Sequence, residues 1–141
     1  MIIPAQMRAL VVDDNAYARA ITGQALRKLG VEQVTEASGG AEAILQLVQN
    51  RFDFMLMDWY MPDVSGAGLI QVLRDPRFGP AAALPVIMMT AYASRENIER
   101  ARLLGVNEVL TKPFTTEQLG TAMRRVLPTT IAAPPYDAVL L

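Results

Sequence analysis

The chain of 141 residues contains no cysteine and no histidine. Without cysteine there can be no disulfide and no thiolate metal site. Without histidine there is no imidazole general base, most zinc sites are excluded, and no phosphohistidine can form within the chain itself. Neither sign of charge dominates, since 13 basic and 14 acidic side chains leave a net charge of −1. A broadly basic nucleic-acid surface is therefore not expected. Long apolar runs are also missing. The most apolar window, "AAALPVIMMTAYA" (81–93), is interrupted by Pro85 and too short to cross a bilayer. The first residues, "MIIPAQMR", lack the charged-then-apolar pattern of a secretory signal. The expectation is a soluble cytoplasmic protein that uses neither membrane nor direct nucleic-acid contact.

What is present is an apolar fraction of 52% in a length suited to one domain with a real core. Short apolar runs alternate with amphipathic stretches. "MRALVV" (7–12) reads as a buried strand, and apolar residues at Ala18, Ile21, Ala25, Leu26 and Leu29 give helical spacing before Gly30. "VEQVTEA" (31–37) is a second, more polar strand, followed by a helix over 38–50. "FDFMLMDWY" (52–60) is a third strand, followed by a turn and a helix over 61–75. "PRFGPAAA" (76–83) reads as a loop and "LPVIMMT" (84–90) as a fourth strand, after which Ser94 caps a helix running to Leu104. "NEVLTK" (107–112) is the fifth strand, and "TTEQLGTAMRRVL" (115–127) opens close to a capping box. Rounds of strand then helix, each of about 20–25 residues, predict a parallel sheet covered on both faces. Residues 128–141 follow no period and read as a Pro-containing C-terminal tail or linker stub beyond a domain of residues 1–127.

In an open parallel sheet, ligands bind outside the carboxyl ends of the strands. There "RALVVDDNAYAR" delivers Asp13 and Asp14, the third strand Asp58, the fourth Thr90 and the fifth Lys112. Adjacent carboxylates where a buried strand stops demand compensation. Taken alone, one would cap a helix and the other would be solvated. Three converging carboxylates need a cation, and oxygen donors without histidine or cysteine point to Mg²⁺ rather than zinc. Metal and Lys112 together favour a phosphoryl group, to which the Thr90 hydroxyl could donate. An aspartate can itself be the nucleophile, giving an aspartyl phosphate. Such chemistry needs positioning and charge neutralisation more than a proton-transfer residue.

At these spacings "VVDDN", "MDWYMPDVSG", "MMTAY" and "LTKPF" make the chain similar to the receiver domains of bacterial two-component response regulators, from about Met7 to Leu127. The resemblance implies a doubly wound (βα)5, flavodoxin-like or CheY-like fold with a parallel five-stranded sheet of order 2-1-3-4-5, an order for which the family's chemotaxis regulator is itself a standard example. It implies Asp58 as phosphoacceptor. Asp14 would ligate Mg²⁺ directly, Asp13 chiefly through water, and the backbone carbonyl of Tyr60 would be a further ligand. Mn²⁺ would substitute for Mg²⁺. Thr90 would be the switch hydroxyl, Lys112 the phosphoryl contact, and the Lys112–Pro113 peptide would be cis. Tyr60 and Tyr92 would shield the phosphoryl from water and so modulate its hydrolysis. Many relatives carry an aromatic residue three positions before the lysine, where this chain has Val109. Valine has no ring to swing, which leaves three routes open: Thr90 with backbone shifts alone, a related role for Tyr92, or weak output.

Other positions read as structural. Asp63 lies in turn chemistry, Gly66 supplies a backbone conformation, and Met55, Met57, Met88 and Met89 are core. Arg124 and Arg125 read as a solvated helix face. As a receiver, the domain would take its phosphoryl from a histidine kinase or histidine phosphotransfer protein docking around Ala16 to Ile21. It would signal to an unknown downstream protein through 94–104, 107–111 and 115–127, with phosphorylation-dependent dimerisation one outcome. It would be a signalling domain that catalyses its own phosphorylation and slow dephosphorylation, not an enzyme of metabolism. The alternative is a phosphorylation-independent adaptor of the same fold, although such proteins usually lose pocket residues kept here. A haloacid-dehalogenase-like phosphatase would carry an aspartate where Tyr60 stands. A flavin carrier would want a phosphate-binding loop where "DDNAYAR" stands.

Overall fold

Four of the five strands are the largely apolar runs expected of them, the second is the more polar one, and each ends at or just before a polar side chain. In the computed structural model, which describes residues 4–127, these are β1 (Arg8–Val12), β2 (Gln33–Ala37), β3 (Phe54–Asp58), β4 (Val86–Thr90) and β5 (Glu108–Thr111). They pair in parallel in the order β2-β1-β3-β4-β5, so every carboxyl end emerges at one pole. This is the order that the resemblance implies. The proposed tail at 128–141 lies outside the described residues.

The intervening helices are α1 (Ala16–Lys28), α2 (Gly40–Gln49), α3 (Gly66–Leu73), α4 (Arg95–Leu104) and α5 (Thr116–Val126). Because successive side chains of a strand point to opposite faces, the sheet divides the core into two clusters. Leu10, Val12, Met55, Met57, Val86 and Met88 meet α2, α3 and α4 on one face. Ala9, Val11, Phe54, Leu56, Ile87 and Met89 meet α1 and α5 on the other. The four strand methionines are fully buried, as expected.

The helix starts follow side-chain chemistry. Asn15, Ser65, Ser94 and Thr115 each accept a backbone N–H from the first turn of α1, α3, α4 and α5. Neither Asp13 nor Asp14 caps α1, because Asn15 does. The capping box of α5 is completed by Gln118 rather than by a glutamate. The buried face of α1 is turned from the stripe read in the sequence: Thr22, Gly23, Ala25 and Leu26 are buried, while Ile21 is exposed. Gly23 faces the Val34 and Glu36 side chains of β2, where an added Cβ would make ordinary contacts at 3.8 and 3.9 Å. Residues 76–83, expected as a loop, form consecutive 3-10 turns interrupted at Gly79 (φ 81°).

Gly66 differs from expectation. Its φ is not positive, so no special backbone conformation is required, but an added Cβ would lie 2.7 Å from Trp59 Cε3. It is a close contact that demands glycine. Asp63 is structural in a specific way: its carboxylate accepts the Gly40 and Ala41 N–H groups, both at 3.1 Å, where α2 has no cap of its own. These bonds hold the Asp63 pKa below the ordinary value. Asp63→Ala should cost about 1 kcal/mol, the usual loss for a capping side chain, in urea denaturation at neutral pH. A depressed folded pKa means the contribution is present above the unfolded value of 3.8 and fades as pH falls through the folded one. Parent and variant should therefore converge as pH falls through and below the folded pKa; a gap that persists in acid beyond that point would remove the carboxylate as its source.

Glu108, at the start of β5, has a side chain only 10% exposed and is bound from both sides. Arg102 of α4 reaches one carboxylate oxygen at 3.2 Å and Arg125 of α5 the other at 3.1 Å. Arg125 is thus not simply a solvated residue, since a carboxylate this buried requires charged partners. At the opposite pole from the strand ends, Arg74 at the end of α3 bonds to Gly105, Ala82, Leu84 and Asn107.

Candidate functional site

The parallel sheet places Asp13 just after β1, Asp58 at the end of β3, Thr90 at the end of β4 and Lys112 just after β5. Asp13 is fully buried. One of its oxygens meets Lys112 Nζ at 2.8 Å, the other accepts the Asn15 N–H at 2.9 Å, and its backbone carbonyl accepts from Arg19 at 2.7 Å. Arg19 is held in turn by Glu36 of β2 at 2.9 Å. Sequence reasoning passed over Arg19, though a lone cation one helical turn beyond the acidic pair was a usable signal.

Lys112 Nζ also lies 3.4 Å from Asp58, so one ammonium serves two carboxylates. Burial pushes the Asp58 pKa up and nearby Asp13 adds to this, while Lys112 opposes it without prevailing. Burial alone would lower the Lys112 pKa, but its hydrogen bond to Asp13 and the charges of Asp58 and Asp13 hold it above the ordinary value. The two directions agree: Lys112 stays charged and is committed mainly to Asp13, leaving Asp58 under-compensated.

Asp14 is exposed and completes a group in which Asp13, Asp14 and Asp58 bring one carboxylate oxygen each within 4.8 Å of one another. Three carboxylates against one ammonium leave the pocket strongly negative. All donors are hard oxygens, a set that fits Mg²⁺ and does not fit a soft or nitrogen-preferring ion.

Thr90 is fully buried, and its hydroxyl oxygen accepts the Tyr92 N–H at 3.0 Å, which leaves the hydroxyl proton free to donate elsewhere. The Lys112–Pro113 peptide is cis, as expected. Tyr60 and Tyr92 meet edge to face with ring centroids 5.9 Å apart. Asn97 of α4 bonds to both, a contact that nothing in the sequence signalled. Val109 is half-buried against the cluster shared with α4.

The family model of the response regulator receiver domain matches residues 9–124. Chemotaxis protein CheY of Pseudomonas aeruginosa is 38% identical over 121 residues, covering 85% of this chain and 95% of its own. Chemotaxis protein CheY-3 of Vibrio cholerae is 37% identical over 125 residues, covering 89% of this chain and 95% of its own. Among solved structures, the receiver domain of a sensor histidine kinase from Pseudomonas aeruginosa has a magnesium ion coordinated in its active-site cleft. It is similar to this chain at a TM-score of 0.77 and 27% identity, covering 86% of this chain and 98% of its own.

Proposed function

The chain belongs to the response regulator receiver domain family, and from that premise we propose that Asp58 accepts a phosphoryl group from a phosphohistidine donor and that Thr90 and Lys112 register its arrival. The donor is a histidine kinase or a histidine phosphotransfer protein met in the cytoplasm. The observation that carries this reading is the convergence of Asp13, Asp14, Asp58 and Lys112 on one strand-end pole.

An Asp58 oxygen forms a bond to phosphorus, the donor's N–P bond breaks, and the bonding pair stays with the imidazole. Asp13, Asp14 and Asp58, with the Tyr60 carbonyl, are the residues that would hold Mg²⁺. When bound, that ion supplies positive charge that lets a phosphoryl group approach three carboxylates. The Lys112 ammonium, already beside Asp58, is placed to pair with a phosphoryl oxygen. The Thr90 hydroxyl has a proton to donate to another, and the Tyr60 and Tyr92 rings limit access of water. The added charge shifts an equilibrium between conformations that already exist. Downstream partners read it on the face made by α4, β5 and α5. Residues 1–127 form the receiver and 128–141 its tail or linker.

Intact mass with Mg²⁺ and acetyl phosphate tests the reading. We expect one added phosphoryl group, absent when Mg²⁺ is withheld. No adduct, with Mg²⁺ binding demonstrated separately, would move the protein to the phosphorylation-independent adaptor class.

A further inference from the structure

We infer that Asn97 of α4 fastens Tyr60 and Tyr92 together beside Asp58, so that one side chain sets both the lifetime of a phosphoryl group and the placement of the first turn of α4; this rests on Asp58 being the phosphoacceptor. Tyr60 leaves β3 two residues after Asp58, and Tyr92 leaves β4 two residues after Thr90. Asp58 and Met89 are paired neighbours in the sheet, so the rings rise from adjacent loops at the same pole. Burial does not hold them, since Tyr60 is 52% exposed and Tyr92 70%.

The fastening is polar. The Asn97 side-chain amide donates to the Tyr60 hydroxyl oxygen at 3.2 Å and to the Tyr92 backbone carbonyl at 3.2 Å. An amide NH₂ carries two protons, and this geometry uses both. Tyr92 in turn donates its N–H to the Thr90 hydroxyl oxygen at 3.0 Å. Hydrogen bonds therefore run without a gap from Thr90 through the Tyr92 backbone to α4, with Tyr60 tied in at the same amide. The Asn97 backbone N–H bonds to Ser94, the cap of α4, at 3.1 Å. A displacement of the Asn97 side chain is thus felt where α4 begins.

In hydrolysis of an Asp58 phosphoryl, a water oxygen bonds to phosphorus, the bond to the Asp58 oxygen breaks, and its electron pair returns to the carboxylate. Phosphate leaves carrying the water oxygen, and the protons pass to phosphate and solvent. Rings held together by Asn97 restrict the approach of that water; rings released from it do not. Asn97 is therefore a positioning residue, acting on the reaction through Tyr60.

The test compares phosphoryl lifetimes, by intact mass after removal of acetyl phosphate, in the parent, Tyr60→Phe, Asn97→Ala and the double variant. Phenylalanine keeps the ring and removes only the acceptor. Alanine keeps the capping N–H and favours the helix. Each single change should shorten the lifetime about three- to tenfold, the factor expected for one hydrogen bond of ordinary strength. The double variant should be no worse than Asn97→Ala, which already breaks the bond that Tyr60→Phe removes. Independent, multiplicative effects, or no effect of Asn97→Ala, would overturn the inference. A second readout is amide hydrogen exchange over 95–104, expected to change on phosphorylation in the parent and much less in Asn97→Ala. An equal response in both proteins also overturns it. A parent that takes no phosphoryl at all defeats the phosphoacceptor reading first, and this inference with it.

Discussion

Asp58→Asn is expected to abolish the phosphoryl adduct and, in the same protein, to raise the stability of the metal-free domain. The first effect is a loss of the nucleophile: a carboxamide oxygen carries no charge with which to form the bond to phosphorus. Adduct should fall below detection, at least about a hundredfold under the parent. The second effect follows from the electrostatics. Burial and Asp13 together disfavour the Asp58 charge more than Lys112 supports it, so its pKa is raised above 3.8. An acid with a raised folded pKa costs stability wherever it is ionised, and the cost develops as pH climbs from the unfolded pKa through the folded one. Neutral asparagine removes that cost, while Lys112 keeps its shorter contact with Asp13. Urea midpoints in the presence of chelator should therefore be higher for Asp58→Asn at pH 7, with the difference shrinking as pH falls and vanishing below the unfolded value of 3.8. A variant less stable than the parent at pH 7 would show that Asp58 is a net partner for Lys112 and not a net burden. Opposed signs for function and stability in one substitution are the mark of a site held under repulsion.

The second large effect lies far from the chemistry. Arg74→Met should lower stability by about 3 kcal/mol. A guanidinium has five N–H donors, and here all five are matched. Nε and Nη2 share the Gly105 carbonyl at 3.1 and 2.7 Å, Nη1 reaches Ala82 and Leu84 at 2.9 and 2.6 Å, and Nη2 reaches Asn107 Oδ1 at 2.9 Å. Asn107 passes the link on, accepting the Val86 N–H at 2.8 Å with the same oxygen. One side chain thus joins the end of α3, the 3-10 turns, the entry to β4 and the turn between α4 and β5. Partial burial pulls its pKa below the ordinary arginine value, but no carboxylate is needed because neutral oxygens surround the charge. Methionine fills much of the space and leaves those oxygens unpaired. Lysine, with a compact ammonium in place of the planar fork, should recover less than half of the loss. An unfolding free energy for Arg74→Met within about 0.5 kcal/mol of the parent, from urea denaturation, would sink the assignment.

These two residues also mark how far the sequence could be read. The alternation of strand and helix, the strand-end carboxylates, Lys112 and the Ser94 cap were legible from local pattern together with one general rule about parallel sheets, whereas the strand order came only with the family resemblance. Asp58 stood out because a carboxylate ending an apolar run is costly without a purpose. Arg74 did not stand out, since its partners are backbone carbonyls at 82, 84 and 105, and a carbonyl leaves no trace in residue type. Asn97 was silent for a similar reason: an asparagine in the first turn of a helix is ordinary until the Tyr60 hydroxyl is brought to it. Gly66 was misjudged because sequence shows the missing Cβ but not the Trp59 ring that requires its absence. The turned face of α1 was hidden because it buries Thr22 and Gly23, which apolar spacing does not count.

The ion pairs at Glu108 have a mechanical side. Among the described residues β5 is a margin of the sheet, bonded to β4 alone, and α4 and α5 belong to opposite layers. Arg102 and Arg125 lace those layers over the margin through a single carboxylate. Their side chains are 52% and 68% exposed, so water screens both stitches and neither is strong. A bare strand edge is a template for an added strand, whereas this one is crossed by two guanidiniums. Glu108 itself is buried, so drawing either arginine away strips a partner from a carboxylate that water barely reaches. The two helices are thus tied over the rim of the sheet as well as through the packed interior beneath them.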